Sequence, residues 1–262
     1  FNLKVGFELT EDLEMDIFAR KVTDITESDA QPAVSGTIFT RDEDGETQID
    51  QRTGKLLLKY SMYDGNWEHL LSASKHTQKS DAFVKKEITF EADGEKTRFN
   101  YQTNMFFNLL DTIDSEHRLT FLLERETDSQ VTRSAWGNSD HTITNYGFVG
   151  EYGLNFKRQV FITGGLRHDE NNIFQNANTF RLTSSYLYKD TGARFHGSYG
   201  KGVKNPTLYE LFGSSANYEG NPLLNPEKSS GWDFGVEQSL FEDSANLDLI
   251  YFNNRITNLI QG

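Results

Sequence analysis

Hydrophobic and polar residues alternate with period two along almost the whole chain. In Phe1-Asn2-Leu3-Lys4-Val5-Gly6-Phe7-Glu8-Leu9-Thr10 every odd position is apolar and every even one is polar or glycine. That is the pattern of a strand with one dry face. Leu13, Met15, Ile17 and Ala19 repeat it against Glu14, Asp16 and Arg20, and only Glu11 and Asp12 lie between, so the two segments predict a hairpin. The same unit recurs to the end of the chain. Leu56, Leu58, Tyr60 and Met62 run to a turn at Asp64-Gly65-Asn66, after which Trp67 opens the return. Phe99 to Leu109 turns through 111–116 into Leu119, Phe121 and Leu123, and Tyr146 to Phe156 turns at Lys157-Arg158 into Val160, Ile162 and Leu166. Phe180 to Tyr188 and Trp232 to Leu240 each lead through a short polar turn to a returning partner.

The pattern gives about twelve strands in six hairpins. The connections between hairpins read as long and polar, at 24–50, 77–95, 127–140, 169–177 and 202–228. Short turns at one end and long loops at the other predict an all-β, antiparallel up-and-down transmembrane β-barrel, with its short turns in the periplasm. The alternations run for about 10 residues, the length of a tilted membrane strand, where a soluble sandwich uses about 5 or 6. On the dry face Tyr146, Tyr152, Phe156, Tyr186, Tyr188, Trp232 and Tyr251 cluster toward strand ends, as an interfacial aromatic girdle would. An aromatic-rich soluble sandwich remains the alternative. The opposite face carries Arg98, Asn100, Gln102, Asn104, Asn145, Glu151, Asn155, Arg181, Asp233 and Glu237, the lining of a wet lumen. Both ends of the chain fall within an alternation, so residues 1–262 are expected to form a partial β-barrel domain of a larger barrel.

Composition narrows this further. No apolar run approaches the roughly 18 residues of a membrane helix. The net charge of −13 argues against nucleic acid or anionic lipid as a partner surface, and the absence of cysteine excludes disulfides and thiolate metal sites. The histidines are scattered, with no serine motif beside them, so no catalytic residues and no enzyme are expected. The acidic run Asp42-Glu43-Asp44-Gly45-Glu46 invites a calcium reading but lacks the spaced downstream ligands of a calcium loop. It reads as a solvated turn, leaving no metal or cofactor expected. Arg133, Trp136 and His141, in or beside an external loop, and Arg167 and Asp169, at the outer end of an inward-facing register, are the candidate ligand contacts.

Three of the four prolines fall between Gly202 and Ser229. Asn205 is an N-cap candidate, Pro206 suits the first helical position and Gly213 the residue after the last turn, which predicts a short helix over Thr207 to Phe212. Leu208, Leu211 and Phe212 would form its packing side. Asn221-Pro222 and Asn225-Pro226 predict tight turns before a strand from Ser230 to Leu240.

This stretch, with Asn205, Pro206, Thr207 and Leu208 followed by Gly220, Asn221, Pro222, Pro226 and Glu227, resembles the late-barrel signature of the TonB-dependent outer-membrane receptors. Gly165-Leu166-Arg167-His168-Asp169 and the strand from Tyr251 to Ile260 resemble two further segments of that family. The flavour is closest to its vitamin B12 and ferric siderophore receptors. The resemblance implies a 22-stranded barrel in the Gram-negative outer membrane, filled by an N-terminal plug. It further implies active import of cobalamin or an iron chelate, energised by the TonB complex through the plug, with outer-membrane lipid as the surrounding partner. A mid-barrel piece without its plug is then the expectation for this chain. A passive porin or translocator barrel is the alternative function. The proline-rich stretch would be a rigid element of the external mouth, with Glu227 as an acceptor that fixes the loop.

Overall fold

The computed structural model describes residues 1–28, 44–109, 114–215, 218–241 and 244–261. Twelve strands form one antiparallel sheet in which each strand pairs with its sequence neighbours. They are β1 (Asn2–Thr10), β2 (Leu13–Ser28), β3 (Gly45–Met62), β4 (Trp67–Val84), β5 (Glu87–Phe107), β6 (Ser115–Ser134), β7 (Gly137–Phe156), β8 (Val160–Asn171), β9 (Ala177–Tyr188) and β10 (Ala193–Lys204), then β13 (Glu227–Leu240) and β14 (Ala245–Thr257). Between β10 and β13 lie a short helix, α1 (Leu208–Phe212), and a two-residue hairpin of β11 (Ser214–Ser215) with β12 (Tyr218–Glu219). The strand meander is the up-and-down architecture that the alternation predicts.

Almost nothing is buried. Among the described residues the buried apolar side chains are Ala193, Leu208 and Leu211. The large apolar residues instead stand in register on one face, as in the row Phe7, Met15, Leu58, Leu71, Tyr101, Leu123 and Phe148 across β1 to β7. Leu71, Phe99, Phe121, Leu123, Leu182 and Phe234 on that face are each about half exposed. In water such a continuous apolar surface would drive association, whereas in a bilayer it meets hydrocarbon and the ladder satisfies the backbone. This face is therefore outward and the opposite face lines the lumen.

Strand lengths differ around the wall. β3 to β7 run for 18 to 21 residues, against 12 to 14 for β8 to β14 in the main sheet. About 10 tilted residues suffice to cross a membrane, so β3 to β7 rise as a tall wall beyond the bilayer. Here the expected loops at 77–95 and 127–140 are corrected: both are strand, joined by turns at Lys85-Lys86 and Ala135-Trp136. Ladder hydrogen bonds satisfy their backbone although neither face is apolar. The connection 169–177 shortens to 172–176, and the β13 strand starts at Glu227, three residues before the expected Ser230. Asp42 and Glu43 of the acidic run, and 111–113 of the expected β5–β6 turn, lie outside the described residues.

Candidate functional site

The external connection between β10 and β13 folds as a small ordered unit. Its helix is capped by Thr207, not by Asn205: Thr207 Oγ1 accepts from the Glu210 amide at 3.2 Å, and Glu210 Oε2 accepts from the Thr207 amide at 2.7 Å. This reciprocal pair is a capping box, which Thr207 and Glu210 spell three residues apart in the sequence. Pro206 accordingly precedes the cap and does not open the helix. Gly213 closes it with φ −64°, so its place here does not depend on left-handed backbone.

The rest of the motif locks onto this helix. A Cβ at Gly220 would stand 2.6 Å from backbone atoms of Leu211 and Phe212, so only glycine allows this approach. The Asn221 amide donates to the Glu210 carbonyl at 2.9 Å, and Asn221 Oδ1 accepts from the Leu223 amide, turning the chain at Pro222. Asn225-Pro226, by contrast, is not a turn and runs directly into β13. Glu227 Oε1 accepts from the Ile260 amide at 2.9 Å and meets Lys204 Nζ at 3.5 Å, joining β10, β13 and the segment after β14.

The unit leans onto the lumen side of the tall wall. The Phe212 ring stacks on His141 of β7 with centroids 3.7 Å apart, while Leu211 is fully buried and Leu208 nearly so. Beneath it lies a cavity of about 580 Å³, lined by Lys96, Glu126, Asp128, Gln130 and Asn145 of the wall and by Thr207 and Tyr209 of the loop. That volume is within the range of small-ligand sites.

A charge ladder runs down the lumen face below the loop. Lys96 Nζ lies 3.0 Å from both Glu126 and Asp128, Arg98 pairs with Glu126 and approaches Glu124 at 3.6 Å, and Arg167 Nη2 bridges Glu124 at 2.9 Å and Asp169 at 2.7 Å. Asn145 donates to Asp169 at 2.8 Å. Burial pushes the Asp128 carboxyl up despite its lysine partner. Gly147 stands between Glu124 and Asp169 in the register, and a Cβ there would collide with the Arg167 guanidinium that bridges them. We expect Gly147→Ala to displace Arg167 from Glu124 and cost about 1 kcal/mol, since each carboxylate keeps some water. Urea unfolding of Gly147→Ala beside an Arg167→Ala control would read it. Additive losses in the double variant would show that the glycine does not act through the arginine.

The structure separates the candidate contacts. Arg167 and Asp169 belong to the lumen ladder, and His141 faces the lumen under Phe212. Arg133 lies on the outward side of the β6–β7 hairpin, ion-paired with Asp93 at 3.3 Å, and Trp136 stands 65% exposed at the hairpin tip. Lys96, Glu124, Glu126 and Asp128 are the lumen charges that the strand pattern leaves unnamed. Extending the odd–even register of β5 and β6 through their polar halves would have found them.

Comparison with known proteins agrees with this architecture. Residues 12–262 match the family model described as TonB dependent receptor-like, beta-barrel. The Serratia marcescens hemophore receptor HasR, solved as a double mutant with its hemophore HasA and heme, superposes with a TM-score of 0.73 at 15% identity, over 97% of this chain and 45% of its own. The siderophore receptor PirA of Acinetobacter baumannii gives 0.73 at 18% identity, over 97% and 43%. The alcaligin outer membrane receptor FauA of Bordetella pertussis gives 0.68 at 12% identity, over 99% and 43%. The chain thus spans a little under half the length of each. With its outward apolar band, lumen charge ladder and folded mouth loop, the chain belongs to the TonB dependent receptor-like β-barrels of the outer membrane.

Proposed function

We propose that the chain is part of the barrel wall of a receptor that imports a scarce chelate, a ferric siderophore or cobalamin, with energy supplied through TonB. In this reading residues 1–262 form a partial barrel domain, and a plug and further strands from outside it complete the lumen. The observation that carries the reading is the roofed cavity of about 580 Å³ above a continuous ladder of lumen charges. A capped loop packed into the mouth narrows the passage for passive flow. A receptor that must hold a ligand before energised transfer needs such a surface. Trp136 and Arg133 at the hairpin tip and His141 under the loop are the proposed mouth contacts. Arg167 and Asp169 are the proposed wall charges against which a ligand or plug rests. The names of the structural neighbours, which include heme and siderophore receptors, favour an iron chelate over cobalamin.

The test is uptake by cells that carry the full-length receptor as their sole importer, supplied with labelled ferric siderophore or labelled cobalamin. Saturable uptake of one of them, abolished when TonB is deleted, is expected. Uptake that is unsaturable and indifferent to TonB would instead identify a passive pore.

A further inference from the structure

The tall wall stops abruptly on one side. β7 pairs with β6 in unbroken register up to Ser134 and Gly137, but with β8 only as far as Asn145 opposite Asn171. Residues 137–144 of β7 therefore have a neighbouring strand on one edge and none on the other. Both strands that bound this notch lie well inside the chain. The chain turns away from it because Asn171 Oδ1 accepts from the Ile173 and Phe174 amides at 2.8 and 3.0 Å. Asn172 then closes the ladder in place of a strand. Its backbone amide donates to the Thr144 carbonyl at 3.2 Å, its Oδ1 accepts from the Thr144 amide at 2.8 Å, and its Nδ2 donates to the Thr142 carbonyl at 3.5 Å.

Above Asn172 the edge is open. In an antiparallel ladder alternate residues direct both N–H and C=O to the same neighbour. Thr144 directs both toward β8, so Thr142, Asp140 and Asn138 face the same way. Among the described residues nothing accepts from the amides of these three or donates to the carbonyls of Asp140 and Asn138. All three residues are exposed. Natural edge strands are blunted by lysine, proline or a bulge, yet 137–144 contains no lysine or proline and its register with β6 shows no bulge. Its one formal charge is Asp140, which has no ion pair among the described residues, and Arg133, diagonally across on β6, is held by Asp93 at 3.3 Å. The cavity beneath the mouth loop borders the notch at Ile143 and Asn171.

We propose that this edge of β7 binds an extended peptide carrying a basic residue, by adding it to the wall as a further strand. A row of donors and acceptors at strand spacing fits a polypeptide backbone in extended form. Asp140 chooses among polypeptides. A second copy of this chain, paired antiparallel about Asp140, would set two carboxylates opposite each other, whereas a lysine or arginine in that place gains the cross-strand attraction. The outward side chains of the added strand line up beside Asn138, Asp140 and Thr142, and its inward ones enter the cavity past Ile143. The site stands apart from the import reading, because main-chain pairing at the edge makes no demand on what the lumen carries.

The probe is a fluorescent heptapeptide, blocked at both ends, that alternates threonine and valine about a central lysine. It is titrated into the full-length receptor in neutral detergent micelles and read by anisotropy, and saturable binding is expected. The amides of the lysine and of the residues two before and two after it face β7 when the lysine stands opposite Asp140. N-methylation of that set should weaken binding at least about tenfold through the lost hydrogen bonds, while N-methylation of the amides between them should leave it unchanged. Glutamate in place of the lysine should weaken binding about threefold, and Asp140→Lys should reverse that preference. Thr142→Pro removes an edge N–H that β6 does not use, so the barrel should keep its heat-modifiable migration while peptide affinity falls severalfold. Asp140→Lys serves where the proline variant does not fold. Equal weakening by the two N-methylated peptides, a lysine preference that Asp140→Lys does not move, or no saturable binding overturns the proposal. So does slow hydrogen exchange at the Asn138, Asp140 and Thr142 amides of the peptide-free receptor, which would show that the receptor's own chain already covers the edge.

Discussion

Leu123→Arg is expected to destabilise the barrel by about 2–4 kcal/mol, the cost of a cation near the bilayer midplane on a lipid-facing strand. Leu123 stands between Tyr101 and Phe148 in the outward row and is 51% exposed, so the rest of its side chain meets hydrocarbon. The same substitution one residue earlier separates face from strand. Leu122 lies between Gln102 and Val149 on the lumen side, where an arginine reaches water or the lumen carboxylates, so Leu122→Arg should cost well under half as much. The measurement is reversible urea unfolding of the full-length receptor in lipid vesicles, followed by tryptophan fluorescence. Equal costs for the two variants would mean that the two faces of the sheet do not see different solvents. The contrast is sharp because a period-two strand places consecutive residues on opposite sides of the wall.

That same periodicity explains how much could be read in the sequence and where reading stopped. Wherever one face meets lipid, alternation is strong and the strand is visible, as from Phe99 to Phe107 or from Leu119 to Leu123. Above the bilayer both faces of the wall are wet. Segments such as Lys75-His76-Thr77-Gln78-Lys79-Ser80-Asp81 then carry no apolar period, and a polar strand cannot be told from a polar loop. The turn that would have marked the hairpin is equally silent. Lys85 and Lys86 adopt positive φ, 52° and 68°, without the glycine or asparagine that usually announces such a turn. Missing those strand halves hid the lumen ladder, because Glu124, Glu126 and Asp128 meet Lys96, Arg98 and Arg167 only once their register is fixed. The mouth helix was legible in place but not in its cap. Proline drew attention to Asn205, while the hydrogen-bond chemistry of the threonine and the glutamate three residues on decided the start. The proline-rich motif reads as rigid from its prolines, and the structure adds the contacts of Gly220 against the helix and of Glu227 across three segments.

Leu211→Ala should release this mouth element while the barrel wall stands. Leu211 is fully buried, and it is the one large side chain so enclosed among the described residues. Truncating a buried leucine costs about 2–5 kcal/mol through lost apolar burial and the cavity left behind. A helix of five residues has no stability of its own to set against that loss. The capping box and the Tyr209–Tyr218 stack, at 4.7 Å, hold the unit internally, but its docking onto the wall rests on Leu208, Leu211 and the Phe212–His141 contact. The loop is therefore expected to open locally. The strands, whose ladders do not involve Leu211, should keep their exchange protection. Hydrogen–deuterium exchange on the full-length receptor would show faster exchange confined to 205–226, and limited proteolysis would cut there first. Under the proposed import function, ligand affinity should fall by at least about tenfold, because an open loop spends part of its docking energy on closing again. Unchanged exchange over 205–226 would show that the stacked aromatics alone hold the loop in the mouth. Faster exchange across β6 and β7 as well would show that the loop braces the wall and does not merely rest on it.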